Sequence, residues 1–286
     1  MSRVEAEPVS RRLERGPGPT VPPERPTRVR SVRVPRLVLA SVASVVTVLG
    51  VWQLASMYLI SQFFLPSPVA IVGGFGQLIR NGQLGQDVGI SMLRIMSGWL
   101  LGSLVGAPVG FLLGTSRLAK ALLDPFVHFL RFIPALALVS LFMVWFGVGE
   151  ASKILLIMYA VGFLVTITTA TGVASISDDR VAAARCLGAS GFDLMWRVRL
   201  PSAVPHIYTA MRLGLANAFL VIIAVEIIAA NSGLGYLIWT ARLYFQVSWM
   251  FVGIVTLGVL GVITDRLWRL VGRTVLRRYV GAATRY

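Results

Sequence analysis

The sequence is poor in the residues with which soluble enzymes do chemistry. It has one cysteine, Cys186, so no intrachain disulfide can form, and the thiol is read as a small packing residue. Its two histidines, His128 and His206, stand apart from each other and from any cysteine, so no cluster has metal-ligand spacing. They are read as interfacial or hydrogen-bonded residues. No Gly-x4-Gly-Lys-Ser/Thr phosphate loop is present, so hydrolysis of ATP by this chain is not expected, and there is no Gly-x-Ser-x-Gly nucleophile elbow. Charge is scarce as well: 14% of the 286 residues are charged and 56% are hydrophobic. A soluble domain of this length has too little interior to hide that much apolar surface, which leaves the class of all-α polytopic membrane proteins.

The charge that is present is lopsided, with 27 Lys and Arg against 12 Asp and Glu and a net charge of +15. Such an excess suits nucleic acid, but its placement argues against that partner and for the lipid bilayer. Nine arginines precede residue 37, six follow residue 265, and with Arg117, Lys120, Arg180, Arg185, Arg197, Arg199 and Arg212 they put 22 of the 27 basic residues on one side. That is the positive-inside pattern, and it predicts that both termini are cytoplasmic. Residues 1–35 are rich in Arg and Pro and too polar to bury a core, so they read as a disordered cytoplasmic tail, and residues 280–286 as a second short tail. The membrane domain is expected over residues 36–279, with six spans at about 37–58, 88–113, 122–146, 154–175, 207–230 and 248–270. The first run is long enough to span, and no small-residue cleavage site precedes Ser61, so it is not read as a removed signal.

Between these runs a few features stand out. Ser67 and Pro68 have the order of an N-cap and a first-turn proline, and Val69, Val72, Phe75 and Ile79 recur at helical spacing, which predicts an amphipathic helix at the outer interface. Gly98, Gly102, Gly106, Gly110 and Gly114 recur every fourth residue, the small-xxx-small pattern that lets two helices in lipid approach closely. Of the ionisable residues that fall inside predicted spans, three set well away from the cytoplasmic ends are the most informative, because an unpaired charge there costs a few kcal/mol at least. Arg94 and Glu226 sit at similar depth and are expected to pair. Arg131, about nine residues into its span, reads equally as a lining residue that gives a translocation pathway a positive potential suited to anions, or as a structural residue bonded to backbone carbonyls.

The most polar internal stretch, expected as a loop over residues 177–201, contains Asp178, Asp179, Arg180, Ala182, Ala183, Ala184, Arg185, Gly188 and Ala189 and closes on Leu200 and Pro201. The alanines favour helix and Gly188 a stop, so two short helices broken near Gly188 to Gly191 are predicted. The spacing Ala-Ala-Ala, three residues, Gly, nine residues, Val198-Arg199-Leu200-Pro201 resembles the EAA loop of binding-protein-dependent ABC import permeases. The runs Arg131-Phe132-Ile133-Pro134 and Glu226 to Leu237 are similar to those of the aliphatic sulfonate, taurine and nitrate permeases. The resemblance implies the type I importer permease fold in the bacterial plasma membrane. It also implies a homodimer, two cytoplasmic ATPase subunits that bind ATP and Mg and grip this loop as a coupling helix, and an extracytoplasmic substrate-binding protein. Ala182 departs from the pattern, because it stands where the family has Glu, so any charged contact there is either absent or supplied by neighbours such as Asp178, Asp179 or Arg185. Two other classes remain open at this point: a secondary transporter, which would need mid-membrane coupling-ion residues, and a membrane anchor or scaffold using the basic tail.

Overall fold

The structure, a computed structural model, describes residues 34–276, and every regular element among them is helical. The tails expected over residues 1–35 and 280–286 fall outside the described residues, save Val34 and Pro35, which open the first helix. The contacts divide the chain between Val48 and Leu49. The N-terminal unit is described from residue 34 to 48 as helix only. All packing below belongs to the second unit.

Helix α1 runs Val34–Leu54 and ends in a wide turn, Ala55–Leu59. Helix α2, Pro68–Arg80, starts as its sequence predicts: the Ser67 Oγ accepts a hydrogen bond from the Ala70 amide at 3.2 Å, and Pro68 occupies the first turn, where a missing N–H is harmless. The face it packs against the rest of the protein is a second one, beside the apolar stripe read from the sequence. Ile71, Gly74 and Leu78 pack inward against the C-terminal helix and the helix that follows, whereas Val69, Val72 and Ile79 point outward and only Phe75 of the expected stripe touches the core. Apolar residues line both sides of α2, so periodicity alone does not choose between them.

The centre of the fold is α3, Gln83–Thr115, laid along α6, Glu150–Ala174. The glycine stripe is the reason they lie so close. A Cβ built on Gly98 would come within 2.6 Å of Ile157, one on Gly102 within 2.7 Å of the Met158 carbonyl oxygen, and one on Gly114 within 2.7 Å of Val173. Gly106 faces the Gly162 carbonyl and Gly110 the Thr166 carbonyl just as tightly, and Thr166 Oγ1 donates to the Gly106 carbonyl at 3.2 Å. Pro108 is carried inside α3 without ending it.

Between these two helices the chain departs from a single span. Helix α4, Arg117–Leu130, and α5, Val139–Phe146, the latter preceded by a tight turn at Ala135–Leu138, meet at 83° across residues 131–134. The span expected over 122–146 is therefore broken. Pro134 has no N–H to continue α4 and disfavours helical geometry at Ile133 before it.

After α6 come α7, Asp178–Cys186, and α8, Gly191–Asp193, which passes through a wide turn at Leu194–Arg199 directly into α9, Leu200–Ala229. The second of the two predicted short helices is thus the start of a long one. Pro201 falls where the wide turn passes into α9, and its missing N–H leaves a carbonyl of that turn without a helical donor. Helix α9 packs on α6 and α3, with Trp99 Nε1 donating to the Met211 carbonyl at 2.8 Å. Helices α10, Leu234–Leu243, and α11, Val247–Val275, complete the unit. Arg212 of α9, grouped by sequence with the flanking charges, reaches Asp265 of α11 through two bonds of 2.6 and 3.0 Å. Among the described residues five helical stretches are long and apolar enough to cross a membrane, and six if α4 and α5 together make one broken span.

The close approach yields a paired test. Gly89, on the same helix, has nothing within 4 Å of its built Cβ. Gly89→Ala should leave the thermal midpoint of the detergent-solubilised protein unchanged or raise it through helix propensity. Gly106→Ala should lower it by overpacking worth about 1–3 kcal/mol.

Candidate functional site

Two constructions outside the apolar core combine charge, geometry and position. The first is the bend between α7 and α9. Helix α7 ends with Gly188 at φ +85, the Gly188 amide bonding the Arg185 carbonyl at 2.9 Å and the Ala189 amide bonding the Ala184 carbonyl at 3.1 Å. This is the Schellman closure, which needs the left-handed residue that glycine supplies without strain. Two residues on, Ser190 restarts the helix: its Oγ accepts from the Asp193 amide and donates to Asp193 Oδ2 at 3.0 Å. Val181 and Leu194 are buried and clamp the arms of the bend together. Arg180 donates to Ser202 Oγ at 3.3 Å, and Arg199 donates to the Thr115 carbonyl at the end of α3 at 3.3 Å. Asp179, Arg180, Ala182, Ala183, Arg185 and Gly188 are exposed; Ala184, Ala189, Leu200 and Pro201 are half-buried; Asp178 opens α7. What the charge pattern did not signal is the apolar crest of the bend. Leu187 is 90% exposed, Phe192 73% and Trp196 56%, with the two aromatic rings 6.1 Å apart.

The second construction is a buried polar node at the start of α10. Arg94 and Glu226, 1% and 0% exposed, are joined at 2.8 Å as the sequence predicts, but neither is satisfied by the other alone. Arg94 also forks onto Glu150 through bonds of 2.6 and 2.7 Å and donates to the Ser232 carbonyl at 2.7 Å. Glu226 also accepts from Ser91 Oγ at 2.8 Å and from the Gly235 amide at 2.7 Å. The Leu234 amide donates to Ser91 Oγ and the Gly233 amide to Asp87 Oδ1, each at 2.8 Å. Glu150 in turn accepts from Lys153 at 2.9 Å. The first amides of α10, which have no partner within their own helix, are thus capped by acceptors from α3 and α9. Gly233, at φ +108, lies so close to Glu226 that no side chain fits there.

An all-helical fold of this kind agrees with the comparisons with known proteins. A family model described as the binding-protein-dependent transport system inner membrane component matches residues 98–277, more than half of the chain. The chain belongs to that family. A protein of Brucella melitensis named as an ABC transporter permease is 41% identical over 209 residues, covering 73% of this chain and 85% of the relative. The aliphatic sulfonates transport permease of Bacillus subtilis is 37% identical over 231 residues, 80% of this chain and 84% of the relative. The taurine transport system permease of Escherichia coli is 35% identical over 238 residues, 80% and 86%. Among solved structures, the MetNI methionine ABC transporter in an inward-facing conformation superposes with a TM-score of 0.56 at 21% identity, over 68% of this chain and 94% of that one, which shows the shared fold.

In this permease, Arg131 does not join the node. It is the residue on which α4 ends, it is exposed, and its guanidinium lies 4.6 Å from the centre of the Phe132 ring. Sequence reading missed Asp87, Ser91 and Glu150, and the first two had a signal of a kind. Asp87, Ser91 and Arg94 fall at four- and three-residue intervals and so share a face of α3 with Gly98 and the glycines beyond it. Glu150, which opens α6 after Gly149, carried none, because the span predicted from residue 154 left it outside the helix.

The node decides what a charge swap should do. Breaking a buried pair by removing one partner costs about 3–5 kcal/mol, so Arg94→Gln or Glu226→Gln alone should sharply lower the thermal midpoint. Arg94→Glu with Glu226→Arg should not restore it. An arginine at 226 has only donors and leaves the Gly235 amide without its acceptor. Recovery of the wild-type midpoint in the double variant would mean that the pair alone, not the network, matters.

Proposed function

We propose that this permease, paired with a second copy, forms the translocation pathway of an ATP-driven importer for a small oxyanion of the sulfonate, taurine or nitrate type. Both termini and the α7–α9 bend face the cytoplasm. Two ATPase subunits, which bind ATP and Mg, dock at the bend, and an extracytoplasmic binding protein delivers the solute. Closure of the ATPases would move the bends as rigid handles and alternate access to the pathway.

The observation that carries this reading is the apolar crest of Leu187, Phe192 and Trp196. Large apolar side chains left exposed on an otherwise charged segment, and held by a rigid bend, have the character of a protein-docking surface. The arms of the bend give it mechanical purchase: one leads into α6 and the other runs unbroken into α9. The substrate class follows the named activities of the relatives.

Wild-type protein expressed with its transport partners should co-purify with a nucleotide-binding subunit and show ATPase activity stimulated by the loaded binding protein. Leu187→Asp should weaken that association at least about tenfold, the scale of a central interface residue. Uptake that needs no ATP would instead support a secondary carrier, and neither result a scaffold.

A further inference from the structure

We propose that Arg131 is the anion-selecting residue of the pathway: its guanidinium, presented at the break between α4 and α5, gives the permease itself a preference for small oxyanions. This rests on the transport reading above and adds to it a selectivity determinant within this chain.

The depth of the break is fixed by a hydrogen bond. Tyr159 Oη donates to the Leu130 carbonyl at 2.7 Å, and Tyr159 lies nine residues into the 25-residue α6. At about 1.5 Å per residue the break is level with a point about 14 Å inside that helix, within the apolar part of the span. A guanidinium at such a depth needs water or a counter-charge. Among the described residues no carboxylate lies within 4 Å of it; its near neighbour is the Phe132 ring, which attracts a cation without neutralising it. Arg131 differs in this from Arg94, which is enclosed by two carboxylates.

The backbone points the same way. The amides of Arg131, Phe132 and Ile133 bond back to the carbonyls of Val127, Phe129 and Leu130, but among the described residues nothing donates to the carbonyls of residues 131–133, Pro134 has no N–H, and Arg131, Phe132 and Pro134 are exposed. Open backbone at membrane depth is tolerated where protein covers it or where it lines a water-filled cavity, and here this chain does not cover it. Charge and open backbone at one level therefore locate an aqueous surface carrying a fixed positive charge. A second copy would bring a second such charge to the same pathway, and the field of an uncompensated cation in a narrow low-dielectric passage concentrates anions and repels cations.

The test reads the potential directly and does not depend on the native substrate. In the full-length permease, in membranes with its partner subunits, Cys186→Ser removes the native thiol and Leu136→Cys places one five residues beyond Arg131, at a position 50% exposed. The probes are two membrane-impermeant methanethiosulfonates, the anionic ethylsulfonate and the cationic ethyltrimethylammonium. Position 136 should react with both and faster with the anion. Arg131→Gln should lower the anion-to-cation rate ratio about fivefold, as expected for unit charges several ångströms apart in a watery passage. Arg131→Lys should keep the ratio, and high salt should collapse it without any change at position 131. No reaction at 136, meaning that lipid or the second copy covers the break, overturns the proposal, and so does a ratio indifferent to Arg131. Labelling needs no ATP turnover. An anion preference without ATP-driven uptake would sink the importer reading and leave this one standing, and ATP-driven uptake with no preference would do the reverse.

Discussion

Three amides at the start of α10 need acceptors, and the way they obtain them organises one whole end of the permease. Gly233, Leu234 and Gly235 are capped by Asp87, Ser91 and Glu226, side chains of α3 and α9, with Arg94 drawing Glu226, Glu150 and the Ser232 carbonyl to one point. A buried ion network of this kind is weak evidence for stability in itself, since apolar residues of equal volume often do as well. Its value lies in position. Leaving any of these groups unpaired in an apolar interior is costly, so the start of α10 has one place to sit and four helices are held in register there.

The same face of α3 continues as the glycine stripe, so one helix carries two kinds of cement. Over its first turns the face is polar and captures α10; beyond Arg94 it is bare and admits the backbone of α6. The far end of α3 is tied to the bend by the bond from Arg199 to the Thr115 carbonyl. Between these ends α3, α6 and α9 are packed without slack, through Trp99 on Met211, Thr166 on Gly106 and Asn217 on the Ala160 carbonyl. A displacement applied at the bend therefore has stiff elements along which to travel, which a rigid-body alternation requires. The α4–α5 segment contrasts with this: it packs lightly, is broken, and leaves Arg131 in the open.

Much of this was legible in the residues because lipid imposes strong rules. Apolar run length revealed the long helices, the four-residue glycine period revealed a close helix pair, and Ser67-Pro68 and Gly188 marked helix ends by their own chemistry. Arg94 and Glu226 were legible as partners because charge in a span is rare. What stayed hidden was hidden for physical reasons. The buried side of α2 is chosen by its neighbours, since both of its faces are apolar. Pro134 reads as a kink or as a full break, and only the surroundings decide. Asp87 and Ser91 are unremarkable in sequence until α10 brings its unpaired amides to them, and the crest of Leu187, Phe192 and Trp196 looked like ordinary apolar content until the fold left it uncovered.

Amide hydrogen exchange at Gly233, Leu234 and Gly235 tests the central claim most directly. If the node holds α10 as described, these three amides are protected from exchange to the same degree as the core of α3, although they lie at the tip of a turn. Exchange at the rate of an open loop would contradict it and leave the ends of α3, α6, α9 and α10 without the tie on which this structure depends.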